Sequence, residues 1–382
     1  MTLKLQKHLF NLPSNVTYLN GAYMSPQLRT VEQIGIQNLQ NKSQPNRITA
    51  HDFFSEKEIL RERFARLIRV DDPQRIAIIP SVSFGIGTAM KNISFEAGDE
   101  IVVLEEQFPS NYYVWKQLEA EKGVIIKTIT APPISAGRAQ GWNDKVLKAI
   151  TPQTKCVTLP MVHWADGTKI ELTTIRDRTN DVNAYLVIDG TQSVGAMPFS
   201  IPEIKPDALV CAGYKWLMGP YGLGVAYFGE RFDEGTPLDN NWMNHEGAED
   251  FANLVNYNHN LKAKGARYDV GESSNFIMVP MLSEGLNQLL KWTPQGIQDY
   301  LREITTAPLE TLREMGYFIE EPTHRGHHLF GIYLPDKMPL EPLKAKLSNA
   351  NIFVSYRGNA IRVSPNIYNT KEDLEKLVSC FI

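Results

Sequence analysis

Two charged residues, Asp189 and Lys215, each follow a short apolar run and stand 26 residues apart. Asp189 ends the run 185–189, and Lys215 follows the run 208–211 within a turn rich in glycine and aromatic residues. A buried ammonium group is unfavourable unless it is paired or covalently bonded. For either residue alone, a lysine that reaches solvent and an aspartate that caps a turn are the simpler interpretations. Their joint placement favours covalent chemistry, because a desolvated lysine forms a Schiff base with an aldehyde.

A third feature is the segment 79–87, Ile-Pro-Ser-Val-Ser-Phe-Gly-Ile-Gly, which follows an apolar run and opens a predicted helix. Main-chain N–H groups at a helix start, with the hydroxyls of Ser81 or Ser83, suit a phosphate group, although an ordinary serine N-cap is the alternative. Neither a P-loop nor a GxGxxG motif is present in the segment. An aldehyde bound to lysine, a pyridine nitrogen held by a carboxylate and a phosphate together describe pyridoxal 5'-phosphate (PLP), which we predict as the cofactor.

The elements that position these residues follow an alternating pattern of short apolar runs and longer segments of helical period. This pattern is typical of βα units around a buried, mostly parallel sheet. The predicted strands are 75–79, 100–104, 124–129, 155–162, 185–188, 208–211 and 224–228. The predicted helices between them are 110–122, 143–150 and 173–183. We therefore predict an α/β fold, in which a large PLP-binding domain has a mostly parallel seven-stranded sheet flanked by helices.

The pattern changes after Pro280. Two long amphipathic segments, 281–292 and 295–315, precede predicted strands near 328–333, 352–355 and 360–364. This arrangement predicts a smaller α+β C-terminal domain. We place the large domain at residues 15–280 and the small domain at residues 1–14 and 281–382. Since no linker rich in Gly and Ser separates them, we expect the two domains to pack closely.

The composition excludes several classes of protein. With 382 residues, 43% of them hydrophobic, the chain can build a large core and is neither disordered nor fibrous. A net charge of −4 with scattered basic residues argues against nucleic-acid binding, and no apolar run reaches the roughly 18 residues of a membrane helix. Cys156, Cys211 and Cys380 fit neither a disulfide framework nor a zinc site. We expect a cytoplasmic protein that binds no metal ion.

Together the motifs resemble the class V aminotransferase family of fold-type I PLP enzymes. This family includes cysteine desulfurases, kynureninase-like proteins and isopenicillin-N-epimerase-like proteins. The most specific matches are Val-Ile-Asp-Gly-Thr-Gln at 187–192 and Gly-Tyr-Lys-Trp at 213–216, and weaker ones lie at 18–22, 98–103, 106–111 and 361–365. The resemblance covers nearly the whole chain. It implies a homodimer with the active site at the subunit interface and an amino acid as substrate.

The resemblance also implies roles for individual residues. Lys215 would carry the cofactor as a Schiff base, and Asp189 would pair with the pyridine nitrogen. Gln192 would contact the ring hydroxyl, and Phe108 would stack on the ring. The implied phosphate contacts are Val82, Ser83, Tyr214 and, from the other subunit, Ser273. The implied substrate contacts are Asn20, Gly21, Ala22 and Arg362, of which Arg362 would bind the substrate carboxylate, with Arg357 as a rival for that role.

Some residues depart from the family's pattern. Trp164 stands where the desulfurases carry an asparagine near a cofactor oxygen, so that this polar contact is either lost or supplied elsewhere. The place of His163 on an apolar strand favours a core histidine over a proton carrier. His324, His327 and His328 lack partners at zinc spacing, and we interpret them as surface residues.

The reaction is less well determined than the cofactor, because members of the family break different bonds at Cα, Cβ or Cγ. Transamination or racemisation requires Lys215 to move a proton at Cα. Desulfuration requires a mobile cysteine thiolate, and none of the three cysteines lies where such a loop is expected. We therefore predict transamination of a small amino acid. An epimerase or a lyase is the alternative, and a non-catalytic PLP-binding protein is a more remote one.

Overall fold

The structure is a computed structural model, and it describes residues 3–335 and 338–382. The strands of this part of the chain are β1 Thr17–Tyr18, β2 Ile76–Ile79, β3 Glu100–Leu104, β4 Ile125–Ile129, β5 Thr154–Pro160, β6 Tyr185–Asp189, β7 Ala208–Ala212, β8 Gly224–Phe228, β9 Phe330–Tyr333, β10 Ile352–Phe353, β11 Ser355–Arg357 and β12 Ala360–Val363. Its α-helices are α1 Arg29–Asn41, α2 Ser55–Leu67, α3 Val82–Lys91, α4 Tyr113–Lys122, α5 Arg138–Ala149, α6 Leu172–Asp181, α7 Ile201–Ile204, α8 Met278–Trp292, α9 Pro294–Glu314, α10 Leu340–Asn349 and α11 Lys371–Ser379.

The central sheet has seven strands in the order β2-β8-β7-β6-β5-β3-β4. Strand β8 is antiparallel to both of its neighbours, and the remaining pairs are parallel. Both faces are covered, since Ile76 and Ile78 of β2 pack into one apolar cluster while Ala77 and Ile79 pack into another. Continuous apolar strands are expected where both faces are buried. The predicted α/β class with a mostly parallel seven-stranded sheet is confirmed.

A small antiparallel sheet, β11-β12-β9, forms in the C-terminal part of the chain. The N-terminal segment joins this part, because β1 pairs in parallel with β10 and Asn20 forms a bridge with Ser364. The predicted domain boundary at residues 280 and 281 falls inside α8, which also packs against α1 and α2. The assignment of residues to two domains stays a prediction.

Element ends differ from the prediction for local reasons. Strand β5 ends at Pro160, which has no N–H group for the sheet. The predicted helix 110–122 is divided, because a 3-10 turn at Pro109–Asn111 precedes α4. Helix α2 was not predicted, since it buries Lys57 and Arg61 on the face that usually carries apolar residues. Within the described residues, no helix is both long and apolar enough to cross a bilayer.

Candidate active site

The sheet brings Asp189 and Lys215 to the same edge. Strands β6 and β7 are parallel neighbours, with Asp189 beside Val210, and Lys215 follows the end of β7 by three residues. Only 7% of Asp189 and 5% of Lys215 are exposed. Both residues line one cavity at the carboxyl ends of the strands, where open α/β sheets bind ligands.

Burial has opposite effects on the two groups. It lowers the pKa of Lys215 from 10.5 to about 8, against the attraction of Asp189, and the nearby charges of Arg362 and Arg357 lower it further. Burial also raises the pKa of the Asp189 carboxyl, which hydrogen bonds from Thr191 and the charge of Lys215 counteract. The Thr191 N–H donates to Asp189 Oδ1 at 3.0 Å. Lys215 thus has a larger neutral fraction near pH 7 than an exposed lysine, as a nucleophilic amine requires.

Aromatic side chains form the walls beside the amine. Lys215 Nζ lies 5.1 Å from the centre of the Phe108 ring and 5.4 Å from that of Tyr214. Trp164 meets Phe108 edge to face at 5.3 Å, and Tyr221 lies 4.7 Å from Tyr214. All four rings line the cavity. Flat apolar walls of this kind suit a planar aromatic ligand.

The start of α3 lines the cavity. Ser81 is its N-cap, and Ser81 Oγ accepts a hydrogen bond from the Phe84 N–H at 3.2 Å. Ser81 and Val82 line the cavity and Ser83 does not, although both serines are exposed and their hydroxyls lie 3.0 Å apart. Of the two serines, Ser81 is therefore the better placed for a phosphate. The phosphate contacts of Val82, Ser83 and Tyr214 stay predictions.

Gln107 was missed by the sequence analysis, although it lies inside the matched segment 106–111. It lines the cavity, and its Oε1 is buried without a hydrogen-bond partner among the described residues. An orphaned buried oxygen is costly unless a ligand supplies a donor. The free amine, the buried carboxylate, the helix start and this oxygen form a set of hydrogen-bond donors and acceptors that fits PLP.

Gln192 lines the cavity, but its amide is largely engaged within the protein. Its Nε2 donates to the Ala22 carbonyl at 3.1 Å, and its Oε1 accepts from Trp216 Nε1 at 2.8 Å. Ala22 is held in turn, because its N–H donates to Ser364 Oγ at 3.0 Å. These bonds fix the position of Gln192 beside the cavity, and its contact with a cofactor hydroxyl stays a prediction.

The interpretation of His328 as a surface residue is wrong. The ring is fully buried and meets Trp216 edge to face at 4.7 Å. Its Nε2 lies 2.7 Å from the Gln192 carbonyl, so Nε2 donates, and Nδ1 accepts from Gln298 at 3.1 Å. Burial lowers the pKa of His328 to about 4. The neutral ring supports the turn after β6, and its partners are too distant in sequence to be predicted.

The predicted substrate residues meet at the small sheet. Arg362 of β12 is buried, and its guanidinium donates to the Trp164 carbonyl at 2.9 Å and to Ser355 Oγ at 3.3 Å. Ser355 Oγ in turn donates to Asn20 Oδ1 at 2.7 Å. The Gly21 N–H donates to the Ser364 carbonyl at 3.0 Å, which attaches the segment 20–22 to the end of β12. Asn20, Gly21, Ala22 and Arg362 are thus brought together, and their contact with substrate stays a prediction.

Ser273 lies in a different cluster. Its Oγ accepts from Lys57 Nζ at 3.1 Å, and Lys57 forms an ion pair with Asp269 at 3.3 Å. Arg61 also pairs with Asp269, and Asp269 Oδ1 accepts from the Ile78 N–H at 2.8 Å. The cluster attaches the segment around Ser273 to α2 and β2. A contact of Ser273 with a phosphate in a partner subunit stays a prediction.

His163 and Trp164, which follow β5, also form hydrogen bonds within the protein. His163 is buried, with Nδ1 3.0 Å from Asp166 Oδ1, which agrees with its interpretation as a core histidine. Trp164 Nε1 donates to the Glu106 carbonyl at 2.7 Å, so the indole braces the segment that carries Phe108. Among the described residues, no group of three or more His, Cys, Asp or Glu side chains could hold a metal ion.

Comparisons with known proteins agree with this geometry. The family model "Aminotransferase class-V" matches residues 28–377. Over 331 residues the chain is 25% identical to an uncharacterized aminotransferase of Schizosaccharomyces pombe, with 84% of this chain and 80% of that protein covered. Over 349 residues it is 22% identical to the isopenicillin N epimerase of Streptomyces clavuligerus, with 83% and 81% covered.

A solved structure shares the fold. The apo cysteine desulfurase of Thermococcus onnurineus superposes with a TM-score of 0.82 at 19% identity, and the match covers 100% of this chain and 98% of that one. At 19% identity, this similarity establishes the fold and does not identify the reaction.

Proposed function

The chain belongs to the class V aminotransferase family, whose members use PLP, and from this premise we propose that it is a PLP-dependent aminotransferase acting on a small amino acid. One observation carries the proposal. A buried lysine with a lowered pKa and a buried carboxylate lie at the ends of adjacent strands and line one cavity. Lys215 is the residue that would bond the cofactor, and Asp189 is the partner of its ring nitrogen.

Each side chain then has a defined task. PLP, when bound, supplies an electron-withdrawing ring that makes the proton on the substrate Cα acidic. Lys215, displaced by the substrate amine, accepts that proton, since a pKa of about 8 suits a base near neutral pH. Asp189, oriented by Thr191, keeps the ring nitrogen protonated. Phe108 and Trp164 line the cavity with apolar rings, which would limit the access of water to the reacting atoms.

The destination of the proton separates the two candidate reactions. In transamination Lys215 would carry the proton away from Cα to the cofactor, whereas in epimerisation a proton would reach the opposite face of Cα. The likeness to isopenicillin N epimerase over most of both chains makes epimerisation the second candidate. Desulfuration is disfavoured, because Cys156, Cys211 and Cys380 are buried and burial raises the pKa of each thiol.

The test is a screen of L-amino acids with the PLP-loaded protein, with and without a 2-keto acid. Formation of the new keto acid together with a pyridoxamine-type spectrum supports transamination. Loss of optical activity without keto acid favours epimerisation. Spectral binding without any product would favour a non-catalytic PLP protein, and an unchanged spectrum with every amino acid would contradict all three. Lys215→Ala is the matched control, which should give no product.

A further inference from the structure

Two arginines occupy one face of the small-sheet hairpin beside the cavity. The register pairs Ser355 with Arg362 and Arg357 with Ala360, so all four side chains project from the same face. Arg357 and Arg362 are diagonal neighbours on that face, a relationship that places residues about 7–8 Å apart. Their guanidinium carbons lie 5.3 Å and 5.9 Å from the centre of the Trp164 ring, which lines the cavity.

Neither guanidinium is neutralised by the protein. Arg362 donates to the Trp164 carbonyl and to Ser355 Oγ, and Arg357 donates to the Tyr356 carbonyl. In both side chains Nε is buried and has no hydrogen-bond partner within the described part of the chain. Within residues 3–335 and 338–382, no carboxylate forms an ion pair with the guanidinium of Arg357 or of Arg362. Buried charges are normally paired, so the buried Arg362 guanidinium and the buried, unpartnered Nε of the half-buried Arg357 indicate anionic ligands.

Glu106 is an acidic residue close to this turn. Its Oε1 lies 3.9 Å from the position that a Cβ on Gly358 would take. The side chain is exposed, and water therefore screens its charge. Within the cavity itself, Asp189 is the carboxylate that faces Lys215, and its proposed partner is the cofactor ring. The positive charge of Arg357 thus remains available to a ligand.

We propose that the substrate is a dicarboxylic amino acid, whose α-carboxylate binds Arg362 and whose side-chain carboxylate binds Arg357. The proposal rests on the proposed function, and it specifies the substrate class as acidic amino acids. Arg362 is the more deeply buried of the two and lies nearer the reaction, as its effect on the pKa of Lys215 indicates. Arg357 is half-buried and therefore accessible to the side-chain carboxylate of a substrate held by Arg362. A guanidinium can bind each carboxylate through two parallel hydrogen bonds.

The experiment compares substrates that differ in charge but not in shape. L-Glutamate is measured against L-glutamine, and L-aspartate against L-asparagine, as kcat/KM and as spectral Kd of the PLP-loaded protein. In the preferred pair, kcat/KM for the acid should exceed kcat/KM for the amide by about 10- to 100-fold, the ratio expected for one charge-assisted hydrogen-bonded contact. Arg357→Gln should remove that preference, and it should change kcat/KM for the amide by less than about threefold.

Three further variants sharpen the comparison. Arg357→Lys keeps the charge and should retain part of the preference, whereas Arg362→Lys should weaken acid and amide alike. Arg69→Gln removes an exposed arginine and should leave kcat/KM for the acid and for the amide unchanged. A thermal unfolding curve for each variant confirms that it folds.

The outcomes distinguish this inference from the proposed function. Turnover of neutral amino acids without preference for acids would overturn the dicarboxylic assignment and leave the aminotransferase proposal intact. An equal loss for acid and amide in Arg357→Gln would place both arginines on the α-carboxylate and also overturn it. Failure of every amino acid to bind would overturn both.

Discussion

At the scale of single residues, the protonation states of Asp189 and Lys215 decide the chemistry. Burial shifts both groups toward their neutral forms, and each counteracts the shift in the other through its charge. In the absence of a ligand, Lys215 would be a reactive amine and the Asp189 carboxylate would be stabilised only in part, by Thr191 and the charge of Lys215. A pyridine nitrogen would give Asp189 the positive partner that the protein does not supply in direct contact.

The neutral fraction of Lys215 should control how fast the apoprotein reacts with PLP. Since the folded pKa is about 8 rather than 10.5, the rate should rise about tenfold per pH unit below pH 8 and level off above it. Stopped-flow absorbance of the apoprotein mixed with PLP, from pH 6 to pH 10, measures this. A rate that keeps rising to pH 10 would mean that the amine is not shifted. Free lysine with PLP is the control for ionisation of the cofactor.

Asp189→Asn removes the charge and keeps the shape and the bond from the Thr191 N–H. We expect turnover to fall on the order of 10²- to 10⁴-fold, because the ring nitrogen would lose its anionic partner. The visible spectrum of the PLP-loaded variant should also change. Full activity with an unaltered spectrum would show that Asp189 only caps the turn after β6.

At the scale of elements, the segment after β5 joins the large sheet to the small one. Asp166 is buried and accepts from Arg138 of α5 at 2.9 Å and from the Tyr333 hydroxyl of β9 at 2.9 Å. The Asp166 carbonyl also accepts from the Gly331 N–H at 2.7 Å. Burial raises the pKa of Asp166, but His163, Arg138 and the Thr168 N–H together hold it well below its usual range.

Asp166→Asn should destabilise the protein by roughly 3–5 kcal/mol at pH 7, because Arg138 would be left buried without a counter-charge. A carboxyl with a lowered folded pKa stabilises above its unfolded pKa of about 3.9, and the contribution is lost as the pH falls below that value. Urea unfolding at pH 7 and at about pH 2.5 measures both effects, since the second pH lies well below the unfolded pKa. Asp181→Asn, which removes an exposed ion pair with Arg178, should change stability by less than about 1 kcal/mol. A similar loss in both variants would contradict the role of Asp166.

The terminal helix α11 bears on the reaction class. Cys380 follows its last residue, is buried, and lies 3.6 Å from the Lys376 carbonyl. A cysteine in this position acts as a small apolar side chain. Cys380→Ser should therefore keep the amino-acid activity, and cysteine with a reductant should release no sulfide above the background of free PLP. Sulfide release that the substitution abolishes would move the protein to the desulfurases.

Local sequence patterns predicted the elements better than the contacts between them. The apolar runs predicted the strands that end at Asp189 and before Lys215, because burial on both faces leaves a continuous signal. They could not predict that His328 supports Gln192, since that contact depends on chain segments 136 residues apart. Ser81, the N-cap of α3, lines the cavity rather than Ser83 in its first turn, and the spacing of two serines does not determine which of them does so.

At the scale of the whole molecule, the candidate site joins distant parts of the chain. Phe108 and Lys215 line the cavity, and Arg362 and Asn20 connect to it through hydrogen bonds with Trp164 and Ser355. The resemblance to the family further implies a homodimer, in which Ser273 would contact the cofactor of the partner subunit. Such a site would form only in the folded chain, so cofactor binding should raise the free energy of unfolding by an amount that grows with the logarithm of the PLP concentration divided by Kd.

The central claim is that Lys215 bonds PLP, and reduction with borohydride tests it most directly. The PLP-loaded protein is reduced, digested and mapped by mass spectrometry, with Lys215→Ala treated in parallel. We predict a pyridoxyl group on Lys215 in the parent protein and none on the corresponding peptide of the variant, which should bind PLP only non-covalently. A pyridoxyl group found on another lysine of the parent protein would contradict the account.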